Sequence, residues 1–243
     1  MEFEFYAVTH AGLVRDNNED YCSIPLNDGD CPLAIVADGM GGHKSGEVAS
    51  KMAVETFTKC FCNEETMQLS TGDRLLFALK EANTAVYTAS REKLSLNNMG
   101  TTFNACYVEG EKAFIVNVGD SRAYHIRNGQ VIQVTQDHSM VQELIMKQVI
   151  TPEEAINHPQ KNIITRAIGI DPEVIGDLYI REIASGDYIM LCSDGLTSHV
   201  NVNELGLMFD SSCTLESIAN TLKDLALMQG GSDNVTIVVI RCN

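Results

Sequence analysis

The chain reads as an α+β protein, a central sandwich of two antiparallel β-sheets flanked by α-helices (αββα). Three observations predict this class. Short β-branched runs recur and are nearly continuous in apolar residues, as strands covered on both faces must be. Long helical periodicities bracket those runs. The runs also stop or start at Asp-Gly and Gly-Asp pairs, whose turn chemistry ends a strand.

The first strand is expected at about 3–9. The run Leu33-Ala34-Ile35-Val36-Ala37 is the next and stops at Asp38, with a glycine-rich turn, Gly39-Met40-Gly41-Gly42, after it. Ser45 reads as the N-cap of a helix with Val48, Ala49, Met52, Val54 and Phe57 on or near one face. A longer helix is expected at about 72–93, with Leu75, Leu76, Leu79, Ala82 and Val86 at helical spacing. A meander follows at about 102–108, 113–118, 122–126 and 131–135, and Asn128-Gly129 predicts a type I′ hairpin between its last two strands. Two capping boxes, at Ser139 and at Thr151-Pro152-Glu153-Glu154, start short helices in a polar insertion. Strands are expected again at about 178–183 and 188–192, then a helix at about 215–228 ended by Gly230-Gly231, then a last strand from Val235. No repeat or low-complexity linker divides the chain, so residues 1–243 are expected to form one domain.

Composition narrows the partners. Lys plus Arg number 17 against 33 Asp plus Glu, a formal net charge of −16. That balance argues against nucleic acid or an anionic membrane, and fits a soluble protein whose site needs cations to receive an anionic substrate. The eight cysteines form no CxxC pair, and Cys106 and Cys192 lie inside apolar runs. They are read mostly as small buried hydrophobes in a reducing compartment. The chain shows no basic stretch leading into an apolar core at its start and no run of about 18 apolar residues, so a cytoplasmic location is expected.

Asp38, Asp120 and Asp194 end apolar runs, and Asp233 precedes one. In an antiparallel sheet the end of one strand lies beside the start of its neighbour, so the four carboxylates can share one edge. Such a cluster is costly unless protonated or holding hard cations, which predicts a Mg²⁺ or Mn²⁺ site. Asp38 is the candidate bridge between two cations, with the Gly39 carbonyl as a further hard oxygen. Asp194 and Asp233 complete one ion's shell, and Glu19 approaches the second. Two cations about 3.5–4 Å apart lower the pKa of a shared water and make a nucleophile at neutral pH. Arg15, four residues before Glu19, is placed to grip a phosphate through both arms of its guanidinium. This assembly predicts phosphoester hydrolysis without a covalent intermediate.

Each residue also has an ordinary reading. Asp-Gly pairs make turns, Asp20 can close one, and Arg15 can be solvated or ion-paired. The six histidines show no HxH or HExxH spacing, which argues against zinc, though His43 beside the glycine-rich turn is a candidate proton donor.

Read in order, eight segments resemble the metal-dependent serine/threonine protein phosphatases of the PP2C (PPM) family, in its stand-alone bacterial branch. They are Gly12-Leu13-Val14-Arg15 with Asn17-Asn18-Glu19-Asp20, Val36-Ala37-Asp38-Gly39-Met40-Gly41-Gly42-His43, Met99-Gly100-Thr101-Thr102, and Asn117-Val118-Gly119-Asp120-Ser121-Arg122-Ala123-Tyr124. Asp137-His138-Ser139, Ile163-Ile164-Thr165-Arg166-Ala167-Ile168-Gly169, Cys192-Ser193-Asp194-Gly195-Leu196-Thr197 and Gly231-Ser232-Asp233-Asn234-Val235-Thr236 complete the set.

The resemblance implies roles for these positions. Asp38 matches the bridging metal ligand, Gly39 the carbonyl ligand, Asp194 and Asp233 the remaining ligands of the first ion, and Glu19 the acid near the second. Asp120 with Asp194 matches the third-ion ligands of bacterial members, and Arg15 matches the phosphate-binding arginine. The cofactors implied are two Mn²⁺ or Mg²⁺ ions, or three when that third site is filled. The segment at about 139–170 resembles the family's small helical flap. The substrates implied are phosphorylated proteins, with a eukaryotic-like Ser/Thr kinase and its targets as partners, and a monomer is the default expectation.

Two positions depart from the pattern. Met40 stands where many eukaryotic members have a histidine that protonates the leaving group, so that proton must come from water or another residue. Ser198 stands where an aspartate is common, in the loop after Asp194. Two rival readings are weaker. Gly119-Asp120-Ser121 superficially resembles an esterase nucleophile block, but position 196 is Leu where the required C-terminal Asp-x-x-His pair would need Asp. A catalytically inactive phosphoprotein-binding relative would be expected to lack metal ligands, and here they are all present.

Overall fold

Side-chain alternation along the strands builds four layers in this computed structural model, which describes residues 1–27, 29–41 and 45–243. In chain order the elements are β1 (Phe3–His10), β2 (Asp20–Ser23), β3 (Leu33–Met40), α1 (Ser45–Phe61), α2 (Thr71–Glu92), β4 (Gly100–Thr101), β5 (Phe103–Glu109), β6 (Lys112–Val118), β7 (Arg122–Arg127), β8 (Gln130–Gln133), α3 (Met140–Met146), α4 (Pro152–Ile156), β9 (Asp177–Glu182), β10 (Tyr188–Cys192), α5 (Asp194–Thr197), α6 (Val202–Gly206), α7 (Leu215–Met228) and β11 (Val235–Cys242). One sheet has the order β1-β11-β10-β7-β8 and the other β2-β3-β5-β6-β9, with β4 added beside β3. The strand pairs are antiparallel, as the sequence predicted.

On β3, Leu33, Ile35 and Ala37 face outward and pack under α1 and α2 with Phe57, Phe61, Leu75 and Leu79. Ala34 and Val36 face inward, where the second sheet supplies Ile189, Leu191, Val238 and Ile240. On the far side α7 packs Ile218 and Leu222 against Met190, Ile237 and Val239. Both faces of the central strands are therefore buried, which is why they read as continuous apolar runs.

The same period-two alternation builds the site. Followed to one end of the sandwich, the inward face passes from Val36 to Asp38, from Ile115 to Asn117, from Leu191 to Ser193 and from Val238 to Thr236. Asn117, Ser193 and Thr236 are fully buried there. The inter-sheet layer is greasy along its length and polar at one end.

Local details refine the sequence reading. The turn expected at 39–42 starts only after Met40, because β4 gives β3 a partner through Gly39 and Met40. Ser45 is the first residue of α1, and its hydroxyl donates to the Ser95 carbonyl. Asn128 and Gly129 have φ of 53° and 75°, the two positive angles that a type I′ turn requires. Thr151 and Glu154 form the full reciprocal capping box, whereas Ser139 makes only its own half, accepting from the Gln142 N–H. The insertion carrying α3 and α4 is closed at its root by Met140 N–H donating to Ile163 and Thr165 N–H to His138, both at 2.8 Å. The eight cysteines are free thiols. Among the described residues no helix is long and apolar enough to cross a membrane.

Candidate active site

Asp38 is fixed through its backbone. Its N–H donates to the Thr102 hydroxyl, and its carbonyl accepts the Thr101 hydroxyl and the Thr102 N–H, each at 2.9 Å. Gly39 donates to the Glu19 carbonyl at 3.2 Å. A Cβ on Gly39 would stand 2.2 Å from the Gly46 carbonyl, and one on Gly46 would stand 2.8 Å from the Glu19 carboxyl carbon. Only glycine at both places lets the first turn of α1 rest on the end of β3 with Glu19 against it. Asn234 fixes the loop that carries Arg15 and Glu19. Its amide donates to the carbonyls of Ala11 and Asn17 at 2.9 Å, and its oxygen accepts the Glu19 N–H at 2.8 Å.

These elements enclose a cavity of about 630 Å³, lined by Arg15, Glu19, Asp38, Gly39, Asp120, Asp194 and Asp233. Every metal-ligand candidate singled out from the sequence lines this one cavity, as does Arg15. Ser198 lies in an adjoining recess that also reaches Asp120 and Asp194, and it closes α5 by donating its N–H to the Asp194 carbonyl at 2.8 Å.

The charge balance is unfavourable without a cation. Burial, reinforced by Asp20, Asp194, Asp120 and Asp233, holds the Asp38 carboxyl well above the usual range. Burial and the charge of Asp194 push Asp120 up to about 7. Burial also brings Asp20 to about 7, although the hydroxyls of Thr236 and Ser193 oppose it. Asp194 rises through burial and Asp233, only partly offset by hydrogen bonding to Asp38 and by the charges of Arg122 and Arg15. Glu19 rises through burial despite Arg15 and the Gly46 N–H. The nearest cation is Arg15, more than half exposed, which makes a single 2.8 Å contact to Asp233. The neighbouring Arg122 is taken up by Asp137 at 2.7 Å.

The residues fit divalent cations. Oε1 of Glu19, Oδ1 of Asp20 and Oδ1 of Asp194 are buried acceptors without a hydrogen-bond partner, which a folded protein rarely tolerates. Among the described residues no three Asp, Glu, His or Cys side chains are grouped closely enough to hold an ion alone. Mg²⁺-like ions do not require that, since they keep several waters and take one or two carboxylates each.

Several contributors are not evident from spacing alone. Asp20 is read equally well as a turn residue, yet it is buried, its Cα is paired with that of Asp38 across β2 and β3, and it accepts the Ser193 hydroxyl at 2.7 Å. Thr101, Thr102, Asn234 and Gly46 act through backbone geometry. Their one signal in the sequence is that they sit inside the quoted motifs or just after them. The candidate proton donor His43 lies outside the described residues.

Comparison with known proteins agrees with this geometry. The protein phosphatase 2C family profile matches residues 13–229. A Listeria monocytogenes relative, serine/threonine phosphatase stp, is 38% identical over 236 residues, 96% of this chain and 93% of its own. The Mycobacterium tuberculosis serine/threonine phosphatase PstP/Ppp superposes with a TM-score of 0.89 at 37% identity, covering 99% of both chains. A PstP catalytic domain in complex with two manganese ions superposes at 0.85 with 35% identity, covering 98% of this chain and 97% of its own.

Proposed function

We infer the reaction from the family, because this chain belongs to the protein phosphatase 2C family. It is a metal-dependent serine/threonine phosphoprotein phosphatase, and its cofactor is Mn²⁺ or Mg²⁺. The observation that carries this reading is the carboxylate cluster around Asp38, which has unpartnered oxygens, and in which burial and mutual repulsion hold Asp38 well above the usual range and raise Asp20 and Asp120 to about 7.

We assign Asp38 as the carboxylate that two ions would share, the Gly39 carbonyl as a ligand beside it, Asp194 and Asp233 as residues that would complete the first ion's shell, and Glu19 as the acid that would stand near the second. Asp120 with Asp194 would hold a third. Bound there, the ions supply Lewis acidity and an activated water. The chain's own part is positional. Thr101, Thr102 and Asn234 fix the backbones that carry the acids. Arg15 stands at the mouth with most of its hydrogen-bonding capacity free, placed to take two phosphate oxygens. Met40 carries no proton to give, so the leaving alkoxide must draw its proton from water or from another residue.

The segment 139–170 is assigned as a flap of the single domain 1–243, because Asn162 and Ile164 reach the cavity wall. Phosphoproteins are the substrates, and we propose a Ser/Thr kinase and its targets among them. The net charge of −16 argues against nucleic acid or an anionic membrane as partner, and we propose a monomeric, cytoplasmic enzyme.

The test is hydrolysis of a phosphothreonine peptide with Mn²⁺, with and without excess EDTA, beside Asp38→Ala. Turnover should require both the metal and Asp38. Folded protein that turns over under no metal would overturn the reading.

A further inference from the structure

We propose that His138 is a positioning residue for the reaction, whose ring clamps the Gly119-Asp120 turn and so sets the Asp120 carboxylate for the third cation. The role rests on the assignment of Asp120 with Asp194 to that ion. His138 and Arg166 belong to the motif segments at 137–139 and 163–169, yet neither lines the catalytic cavity or the adjoining recess. The side chain of His138 works from behind the site, in a residue only 6% exposed.

The turn is gripped from both sides. Nδ1 of His138 accepts the Gly119 N–H at 3.1 Å, and the His138 N–H donates to the Gly119 carbonyl at 2.9 Å. That carbonyl also accepts Nδ2 of Asn117 at 3.2 Å. Gly119 has a φ of 100°, and a Cβ there would stand 2.7 Å from the Thr102 side chain. The turn therefore rests on the residue whose hydroxyl fixes the Asp38 N–H. Asp120 follows at once and reaches the cavity wall. The His138 carbonyl serves the root of the insertion, accepting the Thr165 N–H at 2.8 Å, a bond that no side-chain substitution removes.

The donor pattern fixes the tautomer. A backbone N–H only donates, so Nδ1 is bare and the ring proton sits on Nε2. That proton faces Oδ2 of Asp177 at 3.2 Å. The Arg166 nitrogen 3.2 Å from Nε2 is then a second donor rather than a partner of the ring. It donates instead to Oδ1 of Asp177 at 3.1 Å. Asp177 opens β9, where it pairs with Asn117, so ring, carboxylate and turn stand on neighbouring strands of one sheet. An imidazolium would turn a second N–H against that of Gly119, and burial lowers the His138 pKa, which favours the neutral ring. Asp177 thus aims the ring, and the ring aims the turn.

The test is calorimetric titration of Mn²⁺ into the EDTA-treated, dialysed full chain, beside Asp120→Asn, His138→Ala, His138→Asn and His138→Gln. Asp120→Asn should lose one ion and so identify its binding event. His138→Ala should weaken that same ion about ten- to a hundredfold, the range usual for groups that orient a ligand, and leave the other ions near wild type. An asparagine oxygen stands near the place of Nδ1 and accepts the Gly119 N–H, whereas a glutamine amide reaches the place of Nε2 and Asp177. His138→Asn should therefore recover most of the loss and His138→Gln little of it. Wild-type binding in His138→Ala, equal binding in the Asn and Gln variants, or a loss spread evenly over all ions would overturn the proposal. If the wild-type chain binds only two ions, or Asp120→Asn keeps the third, the assignment of Asp120 itself fails and the role of His138 falls with it. The Asn and Gln pair decides the matter even if His138→Ala misfolds, and the readout is metal binding rather than turnover.

Discussion

Strand β10 is flanked by Asp187 on one side and Asp194 on the other, and the two ends of the sandwich treat these residues differently. Asp187 is 2% exposed. It accepts Arg127 Nε at 2.8 Å, a second Arg127 nitrogen at 2.6 Å, the Ala184 N–H at 2.8 Å and faces His125 Nε2 at 2.9 Å. Burial alone would raise its pKa, but Arg127, the Ala184 N–H and His125 outweigh burial and hold it low. Asp194 keeps a buried oxygen with no partner, and burial with Asp233 drives its pKa up. One end is completed by protein groups, and the other is the end to which we assign a cation. The difference teaches which buried acid serves the fold and which is kept for chemistry.

The sharpest way to break this comparison is substitution at both ends. Asp38→Asn and Asp194→Asn should lower turnover at least about a hundredfold, while the EDTA-treated proteins unfold at a temperature no lower than wild type, because repulsion is relieved. Asp187→Ala should do the converse, leaving kcat near wild type and costing of the order of 3 kcal/mol, because Arg127 loses its counter-charge and His125 its hydrogen-bond partner. Steady-state kinetics beside urea unfolding separates the two. A loss of stability in the Asp38 or Asp194 variants without metal would erase the distinction.

The pH dependence should also run in opposite directions at the two ends. A carboxylate with a raised folded pKa binds its proton more tightly when folded, so its contribution shrinks as pH rises from the unfolded value toward the folded one. For Asp20 and Asp120 that window is from about 4 to about 7. The EDTA-treated protein should therefore gain stability as pH falls from 8 to about 5. Asp187 has a lowered folded pKa, so its stabilisation is full above about 4 and is lost as pH falls through the lower folded value. Mn²⁺ needs the carboxylates ionised, so it should flatten or reverse the first trend and leave the second. Melting curves across this range with Mn²⁺ and with EDTA would show it, and a metal-free protein that is least stable near pH 5 would contradict it.

The sequence made the catalytic end far more legible than the structural end. Asp38, Asp120, Asp194 and Asp233 each stand where an apolar run meets a glycine or a turn, so period and punctuation together placed them at strand ends. Layering was legible too, since strands buried on both faces lose their alternation. The cluster of Asp187, His125 and Arg127 was not. Its members lie 62 and 60 residues apart in the chain, and each reads locally as an ordinary polar residue at a strand end. Asp20 escaped for a related reason, because its role depends on strand pairing with Asp38 rather than on its neighbours. The bond from the Ser45 hydroxyl to the Ser95 carbonyl was not legible either, because a local rule cannot anticipate a distant acceptor.

A smaller effect tests the two arginines. Arg127 holds Asp187 through two nitrogens and both carboxylate oxygens, whereas Arg15 touches Asp233 through one contact while more than half exposed. The first geometry is filled, and the second leaves a fork open at the cavity mouth. A lysine keeps the charge but not the fork. Arg15→Lys should lose one charge-assisted hydrogen bond to phosphate, about 1.5 kcal/mol, which raises KM for a phosphopeptide about tenfold. Its unfolding midpoint should stay near wild type, since exposed pairs contribute little. Arg127→Lys should show the reverse pattern, unchanged KM with a lower unfolding midpoint. If Arg15→Lys weakened the fold instead of substrate binding, its contact with Asp233 would be a structural pin like that at Asp187, and phosphate would have to be held by other groups.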